Sequence, residues 1–159
     1  MANYKVIHKP QKYHDPNAFH DIIQYITSKN KVSSDGVVCG AVLPEIAAES
    51  INGVFKAYHK EKGTKLRHSV LSFSPNDPLT AHQVKEIAKK CVEYYEDKYQ
   101  ILSAVHEDCD HLHIHFAMNT TSYVDGAKYH GTKADYYGFL NHMNKVLRPY
   151  GITAKAVKE

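Results

Sequence analysis

The sequence predicts an α/β fold of the α+β type, with a mainly antiparallel central sheet and helices packed on it. Four segments carry apolar residues at the 3.6-residue period of an amphipathic helix, and four short β-like runs are interleaved with them. The run that ends at His106 and the run that begins at His111 are separated by only four residues. A crossover helix needs many more residues, so these two strands should pair antiparallel.

Two helices are predicted in the first half of the chain. The first runs from Asp15-Pro16 to about Lys29, because aspartate suits an N-cap and proline suits the first helical position. The second begins at Pro44 and ends just before Gly63, since glycine commonly follows a helix C-terminus. Their inward faces are Phe19, Ile22, Ile23 and Ile26 in the first and Ala47, Ile51, Val54, Phe55 and Tyr58 in the second.

Two further helices are predicted in the second half. Thr80 with Gln83 is predicted to form a capping box, and Thr132 with Asp135 is predicted to form a second one. Gly151 is predicted to end the last helix. The inward faces are Val84, Ile87, Ala88, Cys91, Val92 and Tyr95 in the third helix and Phe139, Leu140, Met143 and Leu147 in the fourth.

Four strands and one turn complete the predicted elements. Asp125-Gly126 is a typical hairpin turn sequence. The strands are Tyr4 to His8, Leu66 to Phe73, Ile101 to His106 and His111 to Met118.

Composition predicts one domain over residues 1–159, located in the cytoplasm. Three cysteines without CxxC spacing argue against a disulfide framework, and no apolar run is long enough for membrane insertion. The net charge of +3 permits a nucleic-acid partner without requiring one. The tail from Thr153 to Glu159 looks like the start of something longer, so we expect the N-terminal part of a longer protein.

Four histidines lie within ten residues, in His106-Glu-Asp-Cys-Asp-His-Leu-His-Ile-His115. Because side chains alternate along a strand, His111, His113 and His115 should project from one face, with His106 beside them. Three imidazoles with an open coordination position suit a catalytic metal ion, and Asp108 or Asp110 can supply an acceptor that orients a ligand. Spacing leaves open which three histidines bind, and a metal-water hydrolase or a structural zinc site would use the same residue types.

The spacing His106-x-Asp108-x4-His113-x-His115, followed by Asn119, resembles the third motif of the relaxases, the HUH-class endonucleases that initiate conjugative transfer. Tyr25 in Ile22-Ile-Gln-Tyr-Ile-Thr-Ser-Lys29 resembles the nucleophile motif of that family. The segment His68-Ser-Val-Leu-Ser-Phe73, followed by Pro75, resembles its second motif. The segment Gly126-Ala-Lys-Tyr-His130 and the helix after it look like mobilization relaxases of Gram-positive elements, so the resemblance covers nearly the whole chain and implies an HUH endonuclease-like fold.

The resemblance implies a role for each matching residue. His106, His113 and His115 would bind the metal, Tyr25 would be the nucleophile, and Asp108 would orient a ligand or help to deprotonate the nucleophile. His68 and Ser72 lie four residues apart on a candidate strand and therefore share a face. By the resemblance both would contact DNA, with Ser72 on the side of the leaving 3′ end, and His111 and Asn119 would lie beside the ligands. Some related mobilization proteins use histidine as the nucleophile, so His20 is the alternative to Tyr25.

Helical periodicity adds little evidence about the role of Tyr25. This residue lies about 100° from the centre of the apolar face of the first helix. At the edge of that face a tyrosine can pack in part and present its hydroxyl to a cleft. Periodicity alone equally fits an ordinary tyrosine, one of twelve in the chain. The family motif carries the assignment.

The activity implied is metal-dependent nicking of single-stranded or hairpin DNA at an origin of transfer (oriT), with a 5′-phosphotyrosine intermediate. Manganese is the expected ion, and magnesium, zinc, cobalt or nickel are alternatives. Accessory transfer proteins and a coupling protein are expected partners through regions outside this chain. Candidate DNA contacts beside the motifs, each individually ordinary as a surface charge, are Lys29, Lys31, Lys65, Arg67, Lys128 and Lys133.

The rivals are another HUH enzyme, such as a rolling-circle replication initiator or a transposase, and a metal-water hydrolase. In those HUH groups, as the resemblance implies, the histidine motif precedes the tyrosine. Here Tyr25 precedes His106, which favours a relaxase.

Overall fold

A six-stranded sheet with helices on both faces forms the protein. The computed structural model describes residues 1–8, 17–27, 37–40, 47–60, 63–107 and 111–158. Strand order is β2-β4-β5-β3-β1-β6, and every neighbouring pair is antiparallel except β1 with β6. The strands are β1 Ala2–Ile7, β2 Val37–Gly40, β3 Leu66–Ser72, β4 Ile101–His106, β5 His113–Asn119 and β6 Ala154–Ala156. The predicted mainly antiparallel sheet is confirmed.

Two edge strands, β2 and β6, were not predicted. They contain four and three residues, which are too few for the alternation of apolar and polar side chains in a strand to be recognised. The predicted pairing of β4 with β5 is confirmed, in a register that opposes His106 to His113. Strand β5 begins at His113 rather than at His111, so His111 precedes the strand.

Within the described ranges, four helices flank the sheet, followed by a 3-10 turn over Arg148–Tyr150 that Gly151 ends with a φ of 70°. Asp15, Pro16, Lys29 and Pro44, used to predict helix ends, lie outside the described residues, as does the side chain of Phe19. The helices are α1 Ala18–Ile26, α2 Ala47–Ala57, α3 Ala81–Val92 and α4 Lys133–Leu147.

Helix α2 ends at Ala57, so the predicted end just before Gly63 is wrong. His59 adopts the left-handed conformation that glycine was expected to supply, with a φ of 56°. The Lys60 N–H donates to Phe55 O at 2.9 Å and the His59 N–H donates to Lys56 O at 3.2 Å. This hydrogen-bond pattern is a Schellman motif, which satisfies the last carbonyls of the helix.

The capping box of α3 is confirmed in both directions. Gln83 N donates to Thr80 Oγ1 at 3.2 Å, and Thr80 N donates to Gln83 Oε1 at 2.9 Å. In α4, Thr132 Oγ1 accepts from Asp135 N at 3.1 Å, but the Asp135 carboxylate instead accepts hydrogen bonds from tyrosine hydroxyls, including that of Tyr95 at 2.6 Å. Only half of the second predicted capping box therefore forms.

The two faces of the sheet carry separate apolar cores. Helices α3 and α4 cover one face, where Tyr4, Leu71, Ile114 and Phe116 of the sheet are buried. Helices α1 and α2 cover the other with Ala18, Ile22, Ile26, Ala47, Ile51 and Phe55, which pack on Leu66, Leu102, Ala104 and Ala117. We call this second side the histidine face, because cross-strand partners share a face and Ala104 is paired with His115. Among the described helices, none is long and apolar enough to cross a membrane.

Candidate metal centre

Three histidines of β4 and β5 meet on the histidine face, beyond the end of the α1–α2 core. His106 lies directly opposite His113, and His115 follows two residues later on the same side of β5. Their candidate ligand nitrogens all lie within 4.8 Å of one another. Three imidazole nitrogens that converge on one point suit a divalent ion with open positions for other ligands. The residues present therefore fit a metal centre.

Hydrogen bonds to neighbouring groups orient two of the three rings. His106 Nε2 lies 2.9 Å from the carbonyl oxygen of Ile26, which is the last residue of α1. A carbonyl oxygen only accepts, so Nε2 carries the proton and Nδ1 is the nitrogen available to an ion. His115 Nδ1 lies 2.8 Å from His68 Nε2 on β3, and donation from His115 Nδ1 to His68 would make His115 Nε2 the ligand atom. Such outer contacts fix the ring orientation and the tautomer of metal-binding histidines.

Tyr25 lies over the histidine cluster. Its ring centroid is 6.1 Å from that of His106 and 6.0 Å from that of His115, both edge to face. Ile22 and Ile26 anchor α1 in the core, while the Tyr25 side chain keeps 46% of its surface exposed. A residue at the edge of the buried face of α1 thus combines ring packing with solvent access, as the periodicity allowed.

His20, the alternative nucleophile, lies on the same helix with an exposed side chain. Tyr25 lies five positions after His20, which corresponds to about 140° around the helix axis. The two side chains therefore leave α1 in different directions.

Ser72, His68 and His111 surround the three ligand candidates. Ser72 of β3 is paired with His113, and His68 shares its face, as strand alternation predicted. The ring of His111 lies 5.7 Å from that of His113. The structure thus places these three predicted site residues beside the cluster, and it shows His68 as the hydrogen-bond partner of His115.

Arg67 and Lys128, two predicted DNA contacts, lie elsewhere. Arg67 precedes His68 on β3 and projects to the opposite face, where its guanidinium lies 4.9 Å from the centroid of the Tyr129 ring. Lys128 Nζ donates at 2.9 Å to Thr64 O and also to Thr120 Oγ1. Burial lowers the pKa of Lys128, and nearby lysines add to the effect. The structure does not bring either cation to the histidines.

Asn119 lies at the far end of β5 and is fully buried. Its amide donates to Gln100 Oε1 at 2.9 Å and accepts from Thr121 N at 2.9 Å. These contacts hold the turn that follows β5 rather than a ligand ring. Four further candidates from the sequence, Asp108, Asp110, Lys29 and Lys31, lie outside the described residues.

Sequence reasoning missed the carbonyl of Ile26 as a partner of His106. A backbone acceptor 80 positions away along the chain leaves no sequence signal, because every residue carries one.

Comparison with known protein families identifies the class of protein to which this fold and this site belong. The family model of the MobA/VirD2-like relaxase nuclease domain matches residues 25–152, which is most of the chain. The chain therefore belongs to the relaxase nuclease domain family, a class of DNA-nicking enzymes.

Individual relatives agree with the family. The chain is similar to the group II intron-interrupted relaxase LtrB of Lactococcus lactis subsp. cremoris, with 35% identity over 63 residues, 39% of this chain and 11% of that protein. A protein TraI of Escherichia coli is 30% identical over 122 residues, 70% of this chain and 16% of that protein. Protein rlx of Staphylococcus aureus is 26% identical over 89 residues, 56% of this chain and 27% of that protein. The chain thus spans a small fraction of the length of these relatives.

Proposed function

We propose that the protein nicks one strand of DNA at an origin of transfer by transesterification, with Tyr25 as the nucleophile. One observation carries the proposal: the Tyr25 ring lies about 6 Å from two of the three histidines whose nitrogens converge. A covalent nucleophile must lie close to the group that activates the phosphate, and Tyr25 has that position with solvent access for a strand.

His106, His113 and His115 would hold one divalent ion, with manganese proposed for activity. The ion would supply electrostatic stabilisation of the negative charge that grows on the scissile phosphate. His68 and the Ile26 carbonyl keep the His115 and His106 rings in place, so the ligand geometry exists before DNA binds.

The chemical step exchanges one phosphate ester for another. Tyr25 Oη forms a bond to phosphorus while the bond from phosphorus to the leaving 3′ oxygen breaks. The phenol proton passes to a base, for which Asp108 is the proposed group, and the leaving oxygen gains a proton to become a 3′-hydroxyl. The products are a 5′-phosphotyrosine and a free 3′ end. The new ester conserves the bond energy, so the strand can be rejoined without ATP.

For the whole protein we propose conjugative transfer or mobilization of a plasmid or integrative element in the cytoplasm. Its DNA partner would be single-stranded or hairpin DNA at the origin of transfer. Accessory transfer proteins and a coupling protein would act through regions beyond the family match, since the relatives are much longer than the matched segments.

The test is adduct formation with labelled single strands from candidate origins, incubated with manganese and resolved by denaturing electrophoresis. Wild-type protein should give a shifted protein-DNA band. Tyr25→Phe should abolish the band, whereas Tyr137→Phe, which alters an exposed tyrosine of α4 on the opposite side of the sheet, should retain it.

Two outcomes would contradict the proposal. Cleavage by Tyr25→Phe at the wild-type rate would indicate a metal-water hydrolase. Loss of the adduct in His20→Ala with retention in Tyr25→Phe would assign the attack to His20.

A further inference from the structure

One transverse line of paired residues crosses five strands on the histidine face. The register pairs His106 with His113, His113 with Ser72, Ser72 with Asn3, and Asn3 with Lys155. We call these five residues the polar row. It begins at the metal centre and ends at edge strand β6.

All members of the row project from the same face, because directly paired residues in a sheet share a face. Burial of the adjacent positions supports this orientation: Ala2 and Ala154, which precede Asn3 and Lys155, are buried in the core under α3 and α4. Asn3 and Lys155 must therefore point to the histidine face, and both are exposed there.

A groove of about 420 Å³ follows the outer part of the row. Its lining includes Asn3, Ser72, Ser74, His111 and Lys155. None of the described lining residues is acidic. The Asp77 carboxylate lies beside the groove, where it accepts from the N-terminal amine of Met1 and from Ser74 N, each at 3.0 Å. Lys155 is the lysine that the groove offers to an anion. His111 joins the groove to the metal centre, since its ring lies 5.7 Å from that of His113.

We propose that the polar row is the track along which the backbone of single-stranded DNA passes between the metal centre and β6, with Lys155 binding a phosphate. This inference rests on the proposed function, which places the scissile phosphate at the histidines. Neighbouring strands lie about 4.8 Å apart, so the three steps from His113 to Lys155 cover about 14 Å. A single strand covers that distance in a few nucleotides.

The chemistry of the groove fits a nucleic-acid backbone. A strand presents phosphate oxygens at regular intervals, which accept from the ammonium of Lys155, the amide of Asn3 and the hydroxyl of Ser72. Such contacts position a strand and carry no sequence information. The track should therefore contribute equally to binding of different sequences, while sequence preference arises elsewhere.

The first test measures salt dependence of binding to fluorescein-labelled oligothymidylate by fluorescence anisotropy. Loss of one phosphate contact on single-stranded DNA should reduce the slope of log K against log salt by about 0.7. Lys155→Gln should show that reduction. Lys145→Gln removes the same charge from exposed α4 on the opposite side of the sheet and should leave the slope unchanged. An unchanged slope in Lys155→Gln, or equal reductions in both variants, would overturn the track.

A second variant pair tests the middle of the row. Asn3→Asp introduces a negative charge between Ser72 and Lys155, so binding at low salt should weaken and the difference should shrink as salt rises. Asn141→Asp makes the same change on the exposed surface of α4 and should bind like wild type. Thermal melting of each variant checks that the fold is retained. Equal weakening by the two substitutions would overturn the inference.

The binding tests of the polar row can contradict the track while the proposed function holds, and they can support the track while the proposed function is contradicted. Binding to oligothymidylate needs neither Tyr25 nor cleavage, so a reduced slope without adduct formation would leave the track intact and remove the relaxase chemistry. Adduct formation with an unchanged slope would support the relaxase chemistry and contradict the track.

Discussion

His68 Nε2 lies 2.8 Å from His115 Nδ1, and the two rings stack with their centroids 5.1 Å apart. The residues come from neighbouring strands β3 and β5, and both are buried. A histidine that is not among the three candidate ligands therefore orients one that is. The segment that resembles the second relaxase motif thus contacts the candidate metal centre through the His68 side chain.

We expect His68→Ala to weaken manganese binding by 10- to 100-fold, the usual effect of removing a group that orients a metal-binding histidine. Isothermal titration calorimetry measures the affinity directly. His82→Ala, which alters an exposed histidine of α3, should bind manganese like wild type. Wild-type affinity in His68→Ala would show that the hydrogen bond does not control His115.

Metal removal should abolish nicking and leave the fold largely intact. Two apolar cores form without any metal ligand, so the described structure does not depend on an ion for its packing. Circular dichroism and adduct formation, measured together before and after a chelator is added, separate the two effects. Unfolding on chelation would instead identify a structural zinc site, for which metal binding free energy is folding free energy.

Two glycine-to-alanine substitutions should change stability in opposite directions. Gly126 has a φ of 72°, and a Cβ there would overlap the ring of Tyr58, so Gly126→Ala should destabilise the protein by more than 1 kcal/mol. A Cβ at Gly53, inside α2, meets nothing within 4 Å, so Gly53→Ala should stabilise by about 0.5–1 kcal/mol. Urea denaturation gives both free energies of unfolding, and equal signs would contradict the prediction.

Alkaline pH should destabilise the fold through Tyr4. Burial raises the pKa of the Tyr4 phenol from 10.0 to about 12. The folded state therefore holds this proton more tightly than the unfolded state, so the stabilisation is complete below pH 10 and is lost as pH rises toward 12. Complete loss of this contribution would lower the free energy of unfolding by about 3 kcal/mol.

The free energy of unfolding of wild type and Tyr4→Phe, measured between pH 9 and about 12, tests the Tyr4 contribution. The variant should lose less stability over this range. Some loss will remain, because burial also raises the pKa of Tyr95 and of Tyr129. Parallel profiles for the two proteins would exclude Tyr4 as a contributor.

Local signals were sufficient for much of the fold. The capping box of α3, the buried faces of α3 and α4, and the β4–β5 hairpin depend on residues close together in sequence, and all were predicted. Strand alternation also predicted that His113 and His115 share a face. The role of Tyr25 came from family resemblance and stays a prediction, although the structure places its ring over the histidines.

Long-range relationships were not predicted. The bond from His106 to Ile26 O joins residues 80 positions apart, and β6 reaches β1 from the other end of the chain. The position of Arg67 was predictable, however. His68 and Ser72 were assigned to one face of β3, which requires the intervening Arg67 to face away from the histidines.

All three candidate metal ligands come from one hairpin, in which nine positions along the chain separate His106 from His115. A bound ion would cross-link two strands that are already hydrogen-bonded, and closing so short a loop removes little chain entropy. Ion exchange should then leave the hairpin in place. The supply of divalent ions in the surroundings, more than the order of events during folding, would decide which ion occupies the centre.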